Sequence, residues 1–361
     1  MVDWLAGKRM KGTSSERTSL STTALGGTGV GGWVEVGRTT LGSNSNPITV
    51  SSLPDKRYYM ILWHTTHSSG NWNQPRFRMG NGSVDSGANY AEKRSWDGGT
   101  DGANAPNTFV PMWCNASTPN TPLFGVGYIA NYSSKEKLTL GHSVDRYTAG
   151  AGTAPRRAEW VGKWTNTSNP LDLLELNEAS TNNFTSGDEM VVLGYDPADT
   201  HTNNFWEELY SGSGASGMDT GASAFTAKKY LWIQMYLNDM ISGANVNMVL
   251  NGVESSNYAL RYNQNGGADG TITSRSDNLI HLGASNETEA FINMFIINDG
   301  SNEKLGIVHN MTQQTAGATT APARSELVFK DSQTTQITDV EVRRTSGSWG
   351  ANSQLKIWGA D

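Results

Sequence analysis

Two stretches of this chain, residues 33 to 196 and 206 to 361, carry the same ordered series of short matching segments. Trp33 answers Trp206 at a separation of 173 residues, and Lys56-Arg57-Tyr58 answers Lys228-Lys229-Tyr230 at 172. Asn89-Tyr90 and the Asp97 to Gly102 segment recur as Asn257-Tyr258 and Asn265 to Gly270, both at 168. Glu136-Lys137-Leu138, His142, Thr148 to Ala151 and Ala154-Pro155 recur at 167, as Glu303-Lys304-Leu305, His309, Thr315 to Ala318 and Ala321-Pro322. Leu193-Gly194-Tyr195-Asp196 and Trp358-Gly359-Ala360-Asp361 close the two series at 165. A separation that drifts so little over so many matches marks an internal duplication with small loop deletions, and it constrains the fold before any other signal does. It divides the chain into an N-terminal segment, 1–32, a first domain, 33–200, and a second domain, 201–361.

Each copy is long enough to build a core of its own. Within each, apolar residues recur with period two or in short bursts bounded by Gly, Asn, Ser and Pro, the pattern of strands. Trp33 to Val36, Arg57 to Trp63, Leu123 to Ala130, Leu138 to Val144 and Glu189 to Gly194 read this way in the first copy. Tyr230 to Tyr236, Phe291 to Ile297 and Lys304 to His309 do so in the second. Leu171 to Ala179 fits a short helix, but its counterpart Gln336 to Val342 alternates cleanly, so both are read as strands. Some eight to ten short strands per copy predict an all-β chain of two tandem jelly-roll-like β-sandwich domains. Arg57 to Trp63 and Phe291 to Ile297 are expected in central positions covered on both faces. Gln74 to Met79, polar and opened by Pro75, is expected near an edge.

Composition narrows the function classes. A net charge of −7 over 361 residues argues against a nucleic-acid partner, which requires clustered Lys and Arg. No apolar run reaches the ~20 residues of a membrane span, and the N-terminus lacks the apolar region of a secretory signal. The chain therefore reads as one made soluble inside a cell. Its single cysteine, Cys114, cannot close an intrachain disulfide. Residues 1–32 run from a short basic stretch into Gly26 to Gly32 and read as a flexible arm. On that arm Trp4 and Leu5 offer apolar anchors, and Lys8, Arg9 and Lys11 offer charge for docking on a neighbour.

No catalytic motif emerges, and the chain reads as a non-enzyme. Gly212 to Gly217 matches G-x-G-x-x-G but lacks the βαβ unit that a dinucleotide requires, so it is a loop. His64 and His67 lack a third metal ligand and read as loop histidines. His142 and His309 recur in one strand context without a nucleophile and read as structural. Asp97, Asp101 and Asp269 lie on glycine turns and are weak calcium candidates, too few for a site, so no metal and no cofactor is expected. Trp72, Trp96 and Trp113 are candidate sugar-stacking residues of the first copy alone.

The segments Ser133 to Leu138, Gly141-His142-Ser143, Thr148 to Gly152 and Ala154 to Arg157 resemble uncharacterised virion structural proteins of marine tailed viruses. So do Leu5 to Arg9, Gly12-Thr13, Glu16-Arg17 and Leu193 to Pro197. The resemblance implies a bacteriophage-type structural role, a capsid decoration or head-fibre protein made in the host cytoplasm and exposed on the virion. The chain's expected partners are the major capsid or other virion proteins and copies of itself, as a trimer in which two similar domains per chain present six similar units. The alternative is a receptor-binding or tail-fibre protein that recognises host-surface glycans.

Overall fold

The computed structural model describes residues 3–5, 9–11, 32–66, 75–112, 121–178, 183–199, 204–240, 243–283, 288–315 and 317–361. Among them the chain is almost wholly β, with one 3₁₀ turn at Ala215–Met218. The turn follows the strand Glu207–Ser213, so Gly212 to Gly217 opens no helix for a dinucleotide.

Two antiparallel eight-stranded sheets dominate. In spatial order the first runs Val34–Thr40, Glu189–Tyr195, Tyr58–Thr65, Leu123–Ala130, Lys137–Asp145, Arg156–Trp164, Tyr90–Trp96 and Gly102–Asn107. The second runs Glu207–Ser213, Gln354–Ala360, Tyr230–Asn238, Glu289–Ile297, Lys304–Thr312, Ala323–Asp331, Tyr258–Gln264 and Gly270–Arg275. Strand for strand, the two orders coincide. Each large sheet is faced by a smaller one: Val110–Pro111, Pro75–Asn81, Leu173–Glu178 and Ile48–Val50 in the first half, with Ser83–Val84 paired to the second of these. In the second half the smaller sheet is Asn278–His281, Val246–Leu250 and Val340–Arg344.

Period-two burial builds the sandwiches. One core holds Tyr59, Ile61, Trp63, Phe77, Leu174 and Trp160 between the first two sheets, and another holds Leu231, Ile233, Met248, Met294, Phe329 and Val342 between the second two. Glycines make room for the rings. Gly125 faces Trp63 across its strand pair and Gly141 faces Trp160, and a Cβ at either glycine would sit inside the opposing indole.

The repeated segments encode this framework. Lys137 and Lys304 are fully buried. Lys137 Nζ donates to the carbonyls of Lys135, Asn166 and Asn169, and Lys304 Nζ to those of Asp299, Asn302 and Thr334. Asn131 and Asn298, 167 residues apart, repeat another device: each Nδ2 donates to the carbonyl of Lys56 or Lys228, and each Oδ1 accepts from the backbone of Leu171 or Ile337. The Asp97 and Asn265 segments are matching hairpin turns, with φ of 49° and 69° at Asp97-Gly98 and 53° and 74° at Asn265-Gly266. Asp-Gly and Asn-Gly reach that left-handed pair most easily.

Several expectations are corrected. Pro75–Asn81 lies inside its sheet, paired with Val110–Pro111 on one side and Leu173–Glu178 on the other; Pro75 starts the strand, where a missing N–H costs little. Of Gln336 to Val342, read as a strand throughout, only Val340 to Val342 is one, as the start of Val340–Arg344. Phe291 is 44% exposed, so Glu289–Ile297 is covered on both faces only at its end. His64 is no loop residue. It lies buried in Tyr58–Thr65, while His67 and Cys114 fall outside the described residues.

Candidate functional site

The outer faces of the two large sheets carry apolar residues as well as the inner ones, and part of this outer surface packs into a third core. Met60, Leu62, Phe124, Val126 and Val144 of the first sheet meet Tyr230, Phe295, Leu305, Ile307, Val328 and Trp358 of the second.

Around this core the joint is bound by charge. Arg157 reaches across to Asp269, with Nη2 to Oδ1 at 2.7 Å and Nε to Oδ2 at 3.0 Å, and also contacts Glu159 and Glu326. Burial works against its charge, but these carboxylates outweigh that and hold the guanidinium above its ordinary range. Arg261 Nε lies 3.1 Å from Asp97 Oδ1. Two of the three calcium candidates thus meet across the joint, but arginines fill the positions a cation would take. The third, Asp101, is exposed and pairs with Lys93 at 3.3 Å. Glu189 accepts from Thr40 and Arg38 of its own half and from Tyr230 and Lys229 of the other. Burial opposes its charge, yet the donors prevail and hold it at about 2. Lys330 Nζ donates to the carbonyls of Arg146 and Thr148, tying down the Thr148 to Ala151 loop.

At the centre His142 Nδ1 lies 3.0 Å from His309 Nε2. Burial, then the neighbouring His309 and Arg157, lowers the His142 pKa well below its ordinary value, and burial lowers that of His309. One neutral ring donates and the other accepts. Beside them Glu159 is pushed up to about 7 by burial and by Glu326. The four residues are two equivalent pairs, since His142 faces Glu159 and His309 faces Glu326 in their ladders. They line a cleft of about 240 Å³ together with Tyr128, Leu140 and Asn293. His64, at the joint too, lies 3.7 Å from Asp299 Oδ2. Burial lowers its pKa to about 4.

Beyond the joint the outer face of the first sheet stays open. Trp33, Tyr58, Tyr128, Leu138, Leu140 and Val161 line a groove of about 770 Å³ whose surface is nearly all apolar, with Lys93 and Lys163 at its rim. Leu138, Leu140 and Val161 are 58, 54 and 52% exposed. A contiguous apolar surface of this kind marks a binding face, and it is the candidate site. Sequence reasoning missed it because strand alternation shows which residues share a face without showing whether that face is covered.

Of the other residues singled out from the sequence, Trp4, Leu5, Arg9 and Lys11 fall on a two-stranded ribbon in which Asp3–Leu5 pairs with Arg9–Lys11. Lys8 lies outside the described residues. So do Trp72 and Trp113. Trp96 ends its strand 38% exposed, with the Arg94 guanidinium 5.1 Å from its ring centre. Among the described residues no three His, Cys, Asp or Glu side chains gather in a way that would hold a metal ion.

No family model matches the chain, and no curated protein does. Among solved structures, the chain is similar to the LG1-3 region of the laminin α2 chain, at 7% identity and a TM-score of 0.20, over 87% of this chain and 64% of that one. It is also similar to domains LG4-5 of the mouse laminin α1 chain, at 8% identity and a TM-score of 0.18, over 90% of each chain. Neither likeness is close enough to speak to what the chain does.

Proposed function

We propose that this chain is a non-enzymatic structural protein of a virus particle's exterior, a capsid decoration or head-fibre protein, and that it works by protein–protein contact through the open outer face of its first large sheet. The observation that carries this reading is the groove itself, a nearly all-apolar surface with Lys93 and Lys163 at its rim, which suits a protein partner better than a polar small molecule. The joint supports it as well. Arg157 with Asp269, Arg261 with Asp97 and Lys229 with Glu189 pair across it and brace the two sandwiches into one body. The setting, a virion, comes from the resemblance of the segments between Ser133 and Arg157, and the basic N-terminal residues supply a second contact to the shell.

Low-dose imaging of particles that carry the protein tests the setting, with density of this two-sandwich shape expected on the outer surface. Leu140→Glu is expected to lower the copy number per particle several-fold, and deletion of residues 1–31 to lower it as well. Particles that retain both variants at the wild-type copy number overturn the docking reading.

A further inference from the structure

The two halves do not meet through equivalent surfaces. Residues 167 apart occupy equivalent ladder positions, yet Leu305, Ile307 and Val328 are at most 1% exposed where Leu138, Leu140 and Val161 are more than half exposed. The reverse holds on the opposite side. Phe124 and Val144 of the first sheet are at most 1% exposed, while their equivalents Phe291 and Met311 are each 44% exposed. The second half therefore contributes to the joint the surface that the first half leaves open, and the first half contributes the surface that the second leaves open.

The polar groups follow the same rule. Arg157 pairs with Asp269 inside the joint, whereas their equivalents Arg324 and Asp101 are exposed on the two open faces. Lys330 holds the Thr148 to Ala151 loop of the first half. Its equivalent Lys163, at the rim of the groove, is 42% exposed and pairs with Glu136 of its own half. Such a joint is head-to-tail, and a head-to-tail interface leaves one unfilled surface of each kind at its two ends.

We propose that the open face of the first half is filled by the second half of another copy of this chain, docked as the second half's equivalents are docked in the internal joint. Phe291 and Met311 of one copy then cover Leu138, Leu140 and Val161 of the next, and Arg324 reaches Asp101. Repetition either closes a ring or continues as a filament, and a trimer is the ring of six large sheets. The proposal rests on reading that groove as a protein-docking face and names its occupant.

Sedimentation velocity on the purified full chain over a concentration series tests it. Wild type is expected to shift from monomer to larger species as concentration rises. Leu140→Glu blocks one surface and Phe291→Glu the other, so each variant alone is expected to stay monomeric. Mixed in equal amounts, the two retain one intact surface each and are expected to form a one-to-one dimer and nothing larger, which also reports that both are folded. Arg324→Asp is expected to weaken assembly about tenfold and to be rescued by Asp101→Arg.

A wild type that remains monomeric throughout overturns the proposal, as does a mixture that remains monomeric. Assembly that Leu140→Glu abolishes and Phe291→Glu leaves intact overturns it too, in favour of a symmetric contact between first halves. If the purified chain is monomeric while Leu140→Glu still lowers its copy number on particles, the docking face stands and its occupant is a different protein.

Discussion

Asp145 shows how much of the chemistry of this chain is set by position. It ends the strand Lys137–Asp145 fully buried, and burial pushes its carboxyl up to about 8 against the opposing pull of Arg156 and Lys330. An Asp in the unfolded chain titrates near 3.8. The folded state therefore holds a proton that the unfolded state has lost, and the stability that goes with it is full below the unfolded value and is lost as pH rises through the folded one. Asp145→Asn has nothing to titrate. The unfolding free energy of wild type relative to this variant is expected to fall by on the order of 1 kcal/mol per pH unit between about pH 5 and 8, and then to level off. Urea titrations at several pH values measure it, and a difference that stays constant with pH means that the carboxylate is ionised throughout. The sequence offers no sign of this. Arg157 and Asp269 likewise stand 112 residues apart, and only the packing of two sheets brings them to hydrogen-bonding distance.

At the scale of elements the sequence is far more legible, because strands declare themselves through alternation and turns through Gly with Asp or Asn. The reading of Leu123 to Ala130 coincides with the strand found. Gln336 to Val342 alternates as well, but its first residues are used otherwise: Ile337 N donates to Asn298 Oδ1 and Thr338 N to Asn251 Oδ1, so side chains take the place of a ladder. The repeated Glu-Lys-Leu segment carries a device that pattern alone could not reveal, a buried lysine that gathers three carbonyls where chain segments converge. Burial lowers the pKa of both lysines, that of Lys304 to about 8. Replacing Lys304 by Met keeps the apolar stem and leaves three buried carbonyls without a donor. A loss of roughly 3 kcal/mol is expected, since each buried group left unpaired costs about 1–3 kcal/mol and the loops partly relax. Lys137→Met is expected to cost about as much. Because the two lysines share no partner, the double variant is expected to lose the sum within about 0.5 kcal/mol. Chemical denaturation of the single and double variants gives these values, and a loss under about 1 kcal/mol in both singles refutes the role assigned to the ammonium groups.

For the whole molecule the decisive element is the third core, since each sandwich already has a core of its own and the joint alone makes them one body. Phe124 is almost fully buried in it, with its ring centre 6.4 Å from that of Tyr230 in the other half. The ring belongs to the joint and to neither sandwich interior, so Phe124→Asp places an unpaired charge there while leaving both inner cores untouched. Wild type is expected to unfold in a single calorimetric transition, because the apolar contact and the Arg157, Glu189 and Lys330 bridges couple the halves. Phe124→Asp is expected to unfold in two, with the half that relied more on the joint melting first. Deletion of either half from this variant identifies which transition belongs to which sandwich. One transition in Phe124→Asp, merely shifted to lower temperature, means that neither half holds its fold alone. In that case the equivalence of the two open faces rests on a body that assembles only as a unit, and docking between copies then draws on a surface that exists only after the internal joint has formed.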